Sequence, residues 1–190
     1  MGKKPEARIQ LKEFKAISYA ISTYEDLSVL QRHLVEGVCS SFNIKACSIK
    51  LYDDRENELF RVANCGLSRN YLKNVPIIVE NEHAECLNGE VIFYENIKTD
   101  KRVINPDAAE KEGIVSMLSV PIMYGKSVLG VLKMYHDKPW ILHEDDLDAF
   151  KVFARQLGLR IEYTGLRNFF ETVKAAAGSL PLRMLEGLVI

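Results

Sequence analysis

The residues able to do chemistry are few and dispersed along the chain. Cys39, Cys47, Cys65 and Cys86 are widely spaced with no CxxC pair, and in a sequence without an export signal reduced thiols are the default. Cys39 lies among helically spaced apolar residues and Cys47 opens a strand, so both read as small core residues. His83 and Cys86 stand three apart on an expected helix with Glu82 and Glu85 nearby. That supplies two ligands where a closed metal site wants four, so no metal is expected there. The acidic neighbours also disfavour a Cys86 thiolate. Cys65, beside Gly66 at a strand end, could bring a thiol to a pocket. Ser-His-Asp, P-loop and dinucleotide-binding spacings do not occur. The expectation is therefore a non-catalytic protein, with a redox enzyme using Cys65 and Cys86 as a weaker alternative.

At 190 residues the chain suits one domain with helical extensions and can bury a substantial core without staples. Its 47% apolar and 27% charged residues place it in the globular class. A formal net charge of -1 offers no basic footprint for nucleic acid. The mildly basic start MGKKPEARIQ has no apolar core after it, Glu6 departs from the myristoylation pattern, and no run approaches the length of a membrane span. A cytoplasmic location without membrane or nucleic-acid partners is expected. There are no internal repeats and no second domain, so whatever the module regulates is expected to be a separate partner or another part of a longer protein.

The stretch from Glu112 to Pro139 must position the rest. Its β-rich runs Val115 to Tyr124 and Ser127 to His136 are separated only by Gly125 and Lys126, which predicts an antiparallel hairpin. Both faces of the hairpin carry apolar side chains, so both should be covered. Pro121 donates no hydrogen bond, which predicts a bulge or a strand side without a partner. Upstream, residues 7 to 21 read as an amphipathic helix, Ser22-Thr23-Tyr24-Glu25 as a capping box, and Leu27 to Asn43 as a second helix. Ala46 to Tyr52 and Glu58 to Cys65 read as strands joined by the polar turn DDREN. Alternation places Ser48, Lys50 and Tyr52 on one face, and Lys50 favours a solvated face over a polar pocket. Val75 to Val79, with Pro76, reads as an edge strand, Glu82 to Asn88 as a short helix capped by Gly89, and Val91 to Glu95 as a strand. Asn105-Pro106-Asp107 should open another short helix through Glu112. After the loop holding Trp140, acidic residues Glu144 to Asp146 start a helix whose stripe is Leu147, Phe150, Phe153, Ala154, Leu157 and Ile161. His143 is a poor cap for it, Gly165 is expected to interrupt it, and an apolar tail follows from Leu182.

The run ending in SVPI, a short Gly-containing turn, LGVLKMY and HEDDLDAF together resemble the signature half of a GAF domain. Asn88-Gly89-Glu90-Val91, Asn96, Asp100-Lys101-Arg102 and Glu112-Gly113-Ile114 continue the resemblance upstream, over about residues 22 to 164. It implies a sensory or regulatory module with a small-molecule pocket under an irregular covering segment, and names neither ligand nor cofactor. By position in that segment and the adjoining strands, the candidate ligand contacts are Tyr94, Asn96, Asp100, Val103, Gly113, Ser116, Met117 and Ser119. Asn96 and Asp100 equally suit turn and capping roles, and Ser116 and Ser119 ordinary strand positions. Residues 96 to 117 contain no cysteine, which departs from the free methionine sulfoxide reductase and bilin-attaching relatives. The motif of cyclic-nucleotide relatives is not recognisable.

The expected fold is α/β, a GAF-like antiparallel sheet of five or six strands with helices on one face and the covering segment on the other. Residues 1–21 form an N-terminal helix, 22–164 the domain and 165–190 a C-terminal helical extension. The expected function is signal sensing through a small molecule, passed on through dimeric terminal helices or a separate signalling partner. The alternative is a structural dimerisation module whose pocket is filled by its own side chains, such as Met117 and Tyr94.

Overall fold

Residues 9–74 and 84–178 are described by a computed structural model. Two helices, α1 (Leu11–Thr23) and α2 (Leu27–Phe42), precede a hairpin of β1 (Ala46–Asp53) and β2 (Glu58–Cys65). Short helices α3 (Arg69–Asn74) and α4 (Ala84–Leu87) lead to β3 (Ile92–Tyr94), and α5 (Pro106–Lys111) precedes β4 (Ser116–Tyr124). The chain then forms β5 (Ser127–His136) and α6 (Glu144–Gly178). The five strands make one sheet of order β2-β1-β5-β4-β3, and every pair is antiparallel. The expected edge strand at Val75 to Val79, His83 and the tail from Leu182 lie outside the described residues.

The β4–β5 hairpin closes through Gly125, whose φ of 58° is a left-handed conformation that glycine adopts at little cost. Its register, Val120 opposite Leu132 and Leu118 opposite Met134, puts these four side chains on one face. There they pack with Ile49, Leu34, Val38, Phe150, Phe153 and Leu157 into one apolar cluster under α1, α2 and α6. Fully burying a side chain such as Phe150 or Phe153 contributes about 1.5–3 kcal/mol, and both are 0% exposed. The opposite face carries a second cluster that includes Ile92, Tyr94, Met117, Val131 and Tyr135, closed over by Tyr71, Ile97, Val103, Ala109 and Ile114. The hairpin is thus covered on both faces. Among the described residues β3 pairs only as far as Ile92 opposite Ser119, so Pro121 lies past the end of that ladder.

Local chemistry explains the boundaries. Asp26 caps α2, its carboxylate accepting from the Ser28 and Val29 amides at 2.8 and 3.0 Å. The Ser28 hydroxyl and these amides hold the Asp26 carboxyl below its usual range. The capping box expected at Ser22-Thr23-Tyr24-Glu25 is not formed. The Ser22 and Thr23 hydroxyls instead donate to the Tyr19 carbonyl, each at 2.8 Å, because both residues sit in the last turn of α1. In the DDREN turn the left-handed position is taken by Asn57, φ 55°, whose side-chain carbonyl accepts from the Tyr52 hydroxyl at 2.9 Å. Asn105 caps α5, accepting from the Ala108 amide at 3.1 Å. Gly165 does not interrupt α6, which runs for 35 residues. A single helical glycine costs only about 1 kcal/mol against alanine, and helical residues flank it on both sides.

α6 crosses β4 at closest approach where Gly158 faces the strand, and a Cβ on Gly158 would run into the Met123 carbonyl oxygen. Alanine there gains about 1 kcal/mol of helix propensity but forces a backbone shift of the kind that costs about 1–3 kcal/mol. Gly158→Ala should therefore lower unfolding free energy in a denaturant titration by up to about 2 kcal/mol. An unchanged or raised midpoint would show that the crossing can relax.

Candidate functional site

Strand pairing lays out the face opposite the long helices in rows. Tyr94, Met117, Tyr135 and Ala46 form one row. Ile92, Ser119, Lys133 and Ser48 form the next, and Pro121, Val131, Lys50 and Arg61 the third. Lys133 stands on the central strand with a hydroxyl on each side. Lys50 stands on the neighbouring strand, one row away.

Both ammonium groups are held from water: Lys50 is 3% exposed and Lys133 2%. Lys50 therefore does not face solvent, as alternation alone had favoured. The covering segment, which single-strand periodicity cannot see, closes over its face. Ser48 and Ser119 are 0% exposed. The Ser48 hydroxyl lies 3.2 Å from the Tyr135 hydroxyl, whereas the Ser119 hydroxyl and the Arg61 Nε are buried with no hydrogen-bond partner among the described residues. Two further contacts shape the field. The Lys133 ammonium lies 5.6 Å from the Tyr94 ring centroid and 5.8 Å from that of Tyr135. The Arg102 guanidinium lies 4.9 Å from the Tyr94 ring. Ring faces attract cations, and both lysines also interact with other groups of the protein.

The eight sequence-derived candidates divide among four environments. Tyr94, Met117 and Ser119 lie on the covered face, and Val103 packs over it from the covering segment. Asn96 and Asp100 sit in the turns after β3, where their carboxyl and amide oxygens accept backbone N–H groups: Lys98 to Asn96 at 3.0 Å and Arg102 to Asp100 at 3.0 Å. The Arg102 side chain, 2.7 Å from the Asp100 carboxylate, holds that carboxyl below its usual range. Gly113, φ 75°, makes the turn out of α5. Ser116 pairs with His136 and donates to the Lys138 carbonyl at 2.9 Å, on the face opposite Met117. Ser48, Lys50, Arg61, Lys133 and Tyr135 are absent from the candidate set. The signal that could have found them is a lysine at a period-two position inside two apolar strands, CSIKLY and VLKMY.

A separate cleft of about 650 Å³ opens between α3 and α5, lined by Ser68, Asn70, Asn105, Asp107 and Lys111 among others. The Glu112 carboxylate braces it, accepting from the Ser68 amide at 2.7 Å and from the Ser68 hydroxyl. It is open to solvent, and its charged groups are already exposed, so nothing there demands a ligand.

Burial raises three of the four thiols. Cys86 is 0% exposed, and burial pushes its thiol up to about 12, with the Lys133 ammonium pulling the other way. Cys47 is raised by burial, and so is Cys39, whose Sγ lies 3.9 Å from the Cys65 carbonyl oxygen. Among the described residues no group of three or more His, Cys, Asp or Glu side chains is placed to hold a metal ion. No helix of the described residues is long and apolar enough to cross a membrane.

Comparison with known proteins places this architecture. The family model described as GAF domain matches residues 26–161. The GAF domain of an Acinetobacter phosphoenolpyruvate-protein phosphotransferase superposes with a TM-score of 0.70 at 22% identity, covering 84% of this chain and 96% of that one. That of a Coxiella burnetii phosphoenolpyruvate-protein phosphotransferase gives 0.73 at 18% identity, covering 83% and 95%. A protein captured in a far-red absorbing dark state with bound biliverdin IXa gives 0.62 at 16% identity, covering 80% and 98%. No curated protein matches the chain.

Cys86 supplies a direct check on the covered face. An ordinary cysteine ionises near 9.0 and the folded Cys86 near about 12, so its thiolate is roughly a thousandfold scarcer at pH 8 than in an unfolded chain. Its contribution to stability is complete below about pH 9 and falls as pH rises toward about 12, since the unfolded chain releases the proton first. Iodoacetamide at pH 8 should leave Cys86 and Cys47 unmodified in the folded protein and modify all four cysteines in denaturant, read by peptide mass mapping. Equal labelling of Cys86 in both states would mean that the face is open.

Proposed function

The chain belongs to the GAF domain family, and on that premise we propose that it is a non-catalytic sensing and regulatory module whose ligand is a small molecule bearing a carboxylate or phosphate. The observation that carries this reading is the pair Lys50 and Lys133, buried on adjacent strands of the covered face. A lysine ammonium has three protons to donate, so each can serve a ligand oxygen while keeping a contact with the protein. The Ser119 hydroxyl and the Arg61 Nε supply further donors, and Tyr94, Met117 and Val103 supply an apolar wall for the rest of the molecule. The neighbour that holds biliverdin IXa gives a precedent for a small molecule bound by this fold. Covalent bilin attachment is not part of the proposal, because residues 96–117 have no cysteine. Asn96 and Asp100 act by holding the covering turns, and Gly113 by turning the chain back into β4. The module works in the cytoplasm as a homodimer, and ligand binding acts on a partner through the terminal helices.

One observation favours a second reading. Tyr94 is 0% and Met117 1% exposed, as they would be in a structural module whose pocket is filled by its own side chains.

Native mass spectrometry of the purified protein, under gentle and then denaturing conditions, separates the two. The expected result is an acidic small molecule lost on denaturation and missing from Lys133→Met. A melting series with small carboxylic acids and organic phosphates should find a class that stabilises the wild type by about 2.7 kcal/mol at a hundred times its dissociation constant. The same class should leave Lys133→Met unmoved. Lys133→Met also removes the contacts of the ammonium with the protein, so the variant's fold is checked by circular dichroism and its own ligand-free melting point is the reference for the series. A protein that carries nothing and responds to no anion would establish the structural reading instead.

A further inference from the structure

Three of the four cysteines come from separate elements to one place in the helix-side core. Cys39 stands in the last turn of α2, Cys47 on β1 and Cys65 at the end of β2, and all three pack in the same apolar cluster. Cys47 and Cys65 are directly opposed across the β1–β2 ladder. From α2, the Cys39 Sγ comes to 3.9 Å from the Cys65 carbonyl oxygen, and it is in hydrogen-bonding contact with the Cys65 thiol as well. Cys86 lies apart, in the cluster on the covered face. The backbone fixes both members of the Cys39–Cys65 pair. The Cys39 carbonyl accepts the amide of Asn43, which caps α2 in a left-handed conformation, and that of Ile44 at 3.3 Å. Gly66, φ 82°, turns the chain immediately after Cys65, and a Cβ there would run into the Lys45 carbonyl oxygen. The ends of α2 and β2 thus hold the two sulfurs in one place. Both residues are half-buried and within reach of a small oxidant, whereas Cys47 is buried.

We propose that Cys39 and Cys65 are a reversible oxidation site, which hydrogen peroxide or an organic hydroperoxide converts to a disulfide tying the end of β2 to α2. The Cys65 thiolate attacks the peroxide, and its S–O bond forms as the O–O bond breaks. The leaving oxygen takes the proton that Cys65 gave up and departs as water or an alcohol. The Cys39 sulfur then attacks the Cys65 sulfenic acid: the S–S bond forms, the S–O bond breaks, and the hydroxyl leaves as water with the Cys39 proton. Two thiols lose two electrons and two protons to one peroxide, and a thiol reductant reverses the change. The order follows from the surroundings of Cys39. Burial, then negative charge on Cys65 and its hydrogen bond, then the Glu36 carboxylate push the Cys39 thiol up. A thiol held back from ionising is a poor first nucleophile, so Cys39 resolves the sulfenic acid and the first oxidation falls to Cys65. The partner of Cys65 is thus Cys39 and not Cys86, which lies across the sheet with Lys133 and Tyr94. The inference does not rest on ligand binding.

The test treats the folded chain with hydrogen peroxide, removes the excess with catalase and alkylates in denaturant before peptide mapping. Trypsin cuts after Lys45, Lys50, Arg61 and Lys73, so each cysteine falls on its own peptide. The expected product is a Cys39–Cys65 peptide pair, linked within one chain and separated again by dithiothreitol, with Cys47 and Cys86 still open to alkylation. In Cys39→Ser the reaction should stop at the sulfenic acid, so that dimedone labels Cys65, while Cys65→Ser should leave Cys39 unlabelled. The linkage in the unsubstituted chain is read without any variant, so a variant that folds poorly does not spare the proposal. Cys39 and Cys65 both alkylated after peroxide, either sulfur driven past sulfenic acid without linking, linkage through Cys47 or between two chains, or dimedone on Cys39 in Cys65→Ser would each overturn it.

Discussion

The structure depends on the alternation of side chains along β5, the central strand. Leu132 and Met134 enter the core beneath α1, α2 and α6, while Val131, Lys133 and Tyr135 enter the layer beneath the covering segment. A pleated strand allows no compromise between the two sets, since a slip of one residue would exchange them. The short β4–β5 turn and the pairing of Ser48 with Lys133 hold that register, and the rest of the molecule is arranged to cover what each face then presents.

The two faces differ in kind. The helix face is an ordinary apolar core, stabilised by the area it removes from water. The other mixes aromatic rings and aliphatic groups with two ammonium groups and two hydroxyls at the centre of the sheet. The Lys133 ammonium is met there by the ring faces of Tyr94 and Tyr135, at 5.6 and 5.8 Å. Charge held away from water acts more strongly on its neighbours than charge in solvent.

α6 joins the helix-side core to the outside. Its inward stripe packs on the sheet only as far as Ile161, yet the helix continues to Gly178 and keeps an apolar face in solvent. A helix that ran on only to complete the domain would turn polar on its outer side once the core ended. Leu159, Leu166 and Phe170 instead stand exposed on the outer side of the helix that packs on β4.

Much of the architecture was legible in the residues. The two-residue connection at Gly125-Lys126, the helical spacing from Leu27 to Phe42 and the Asn105-Pro106 helix start are local signals, and local geometry obeys them. The signals that misled were also local. Ser22 to Glu25 has the spacing of a capping box, but Asp26 lies closer to the helix start and takes the amides. Gly165 should weaken a helix, but its neighbours sustain it. Of the site, Tyr94, Val103, Met117 and Ser119 could be placed on or over the covered face from their position in the pattern, whereas Lys50 and Lys133 could not. The sequence by itself determined the strands, their order along the chain and which side chains share a face, because periodicity of two and of 3.6 residues is a property of the backbone. Only the tertiary structure decided which faces are closed to water. That depends on segments distant in sequence folding over them, and that closure buries two lysines that lie in the strand pattern.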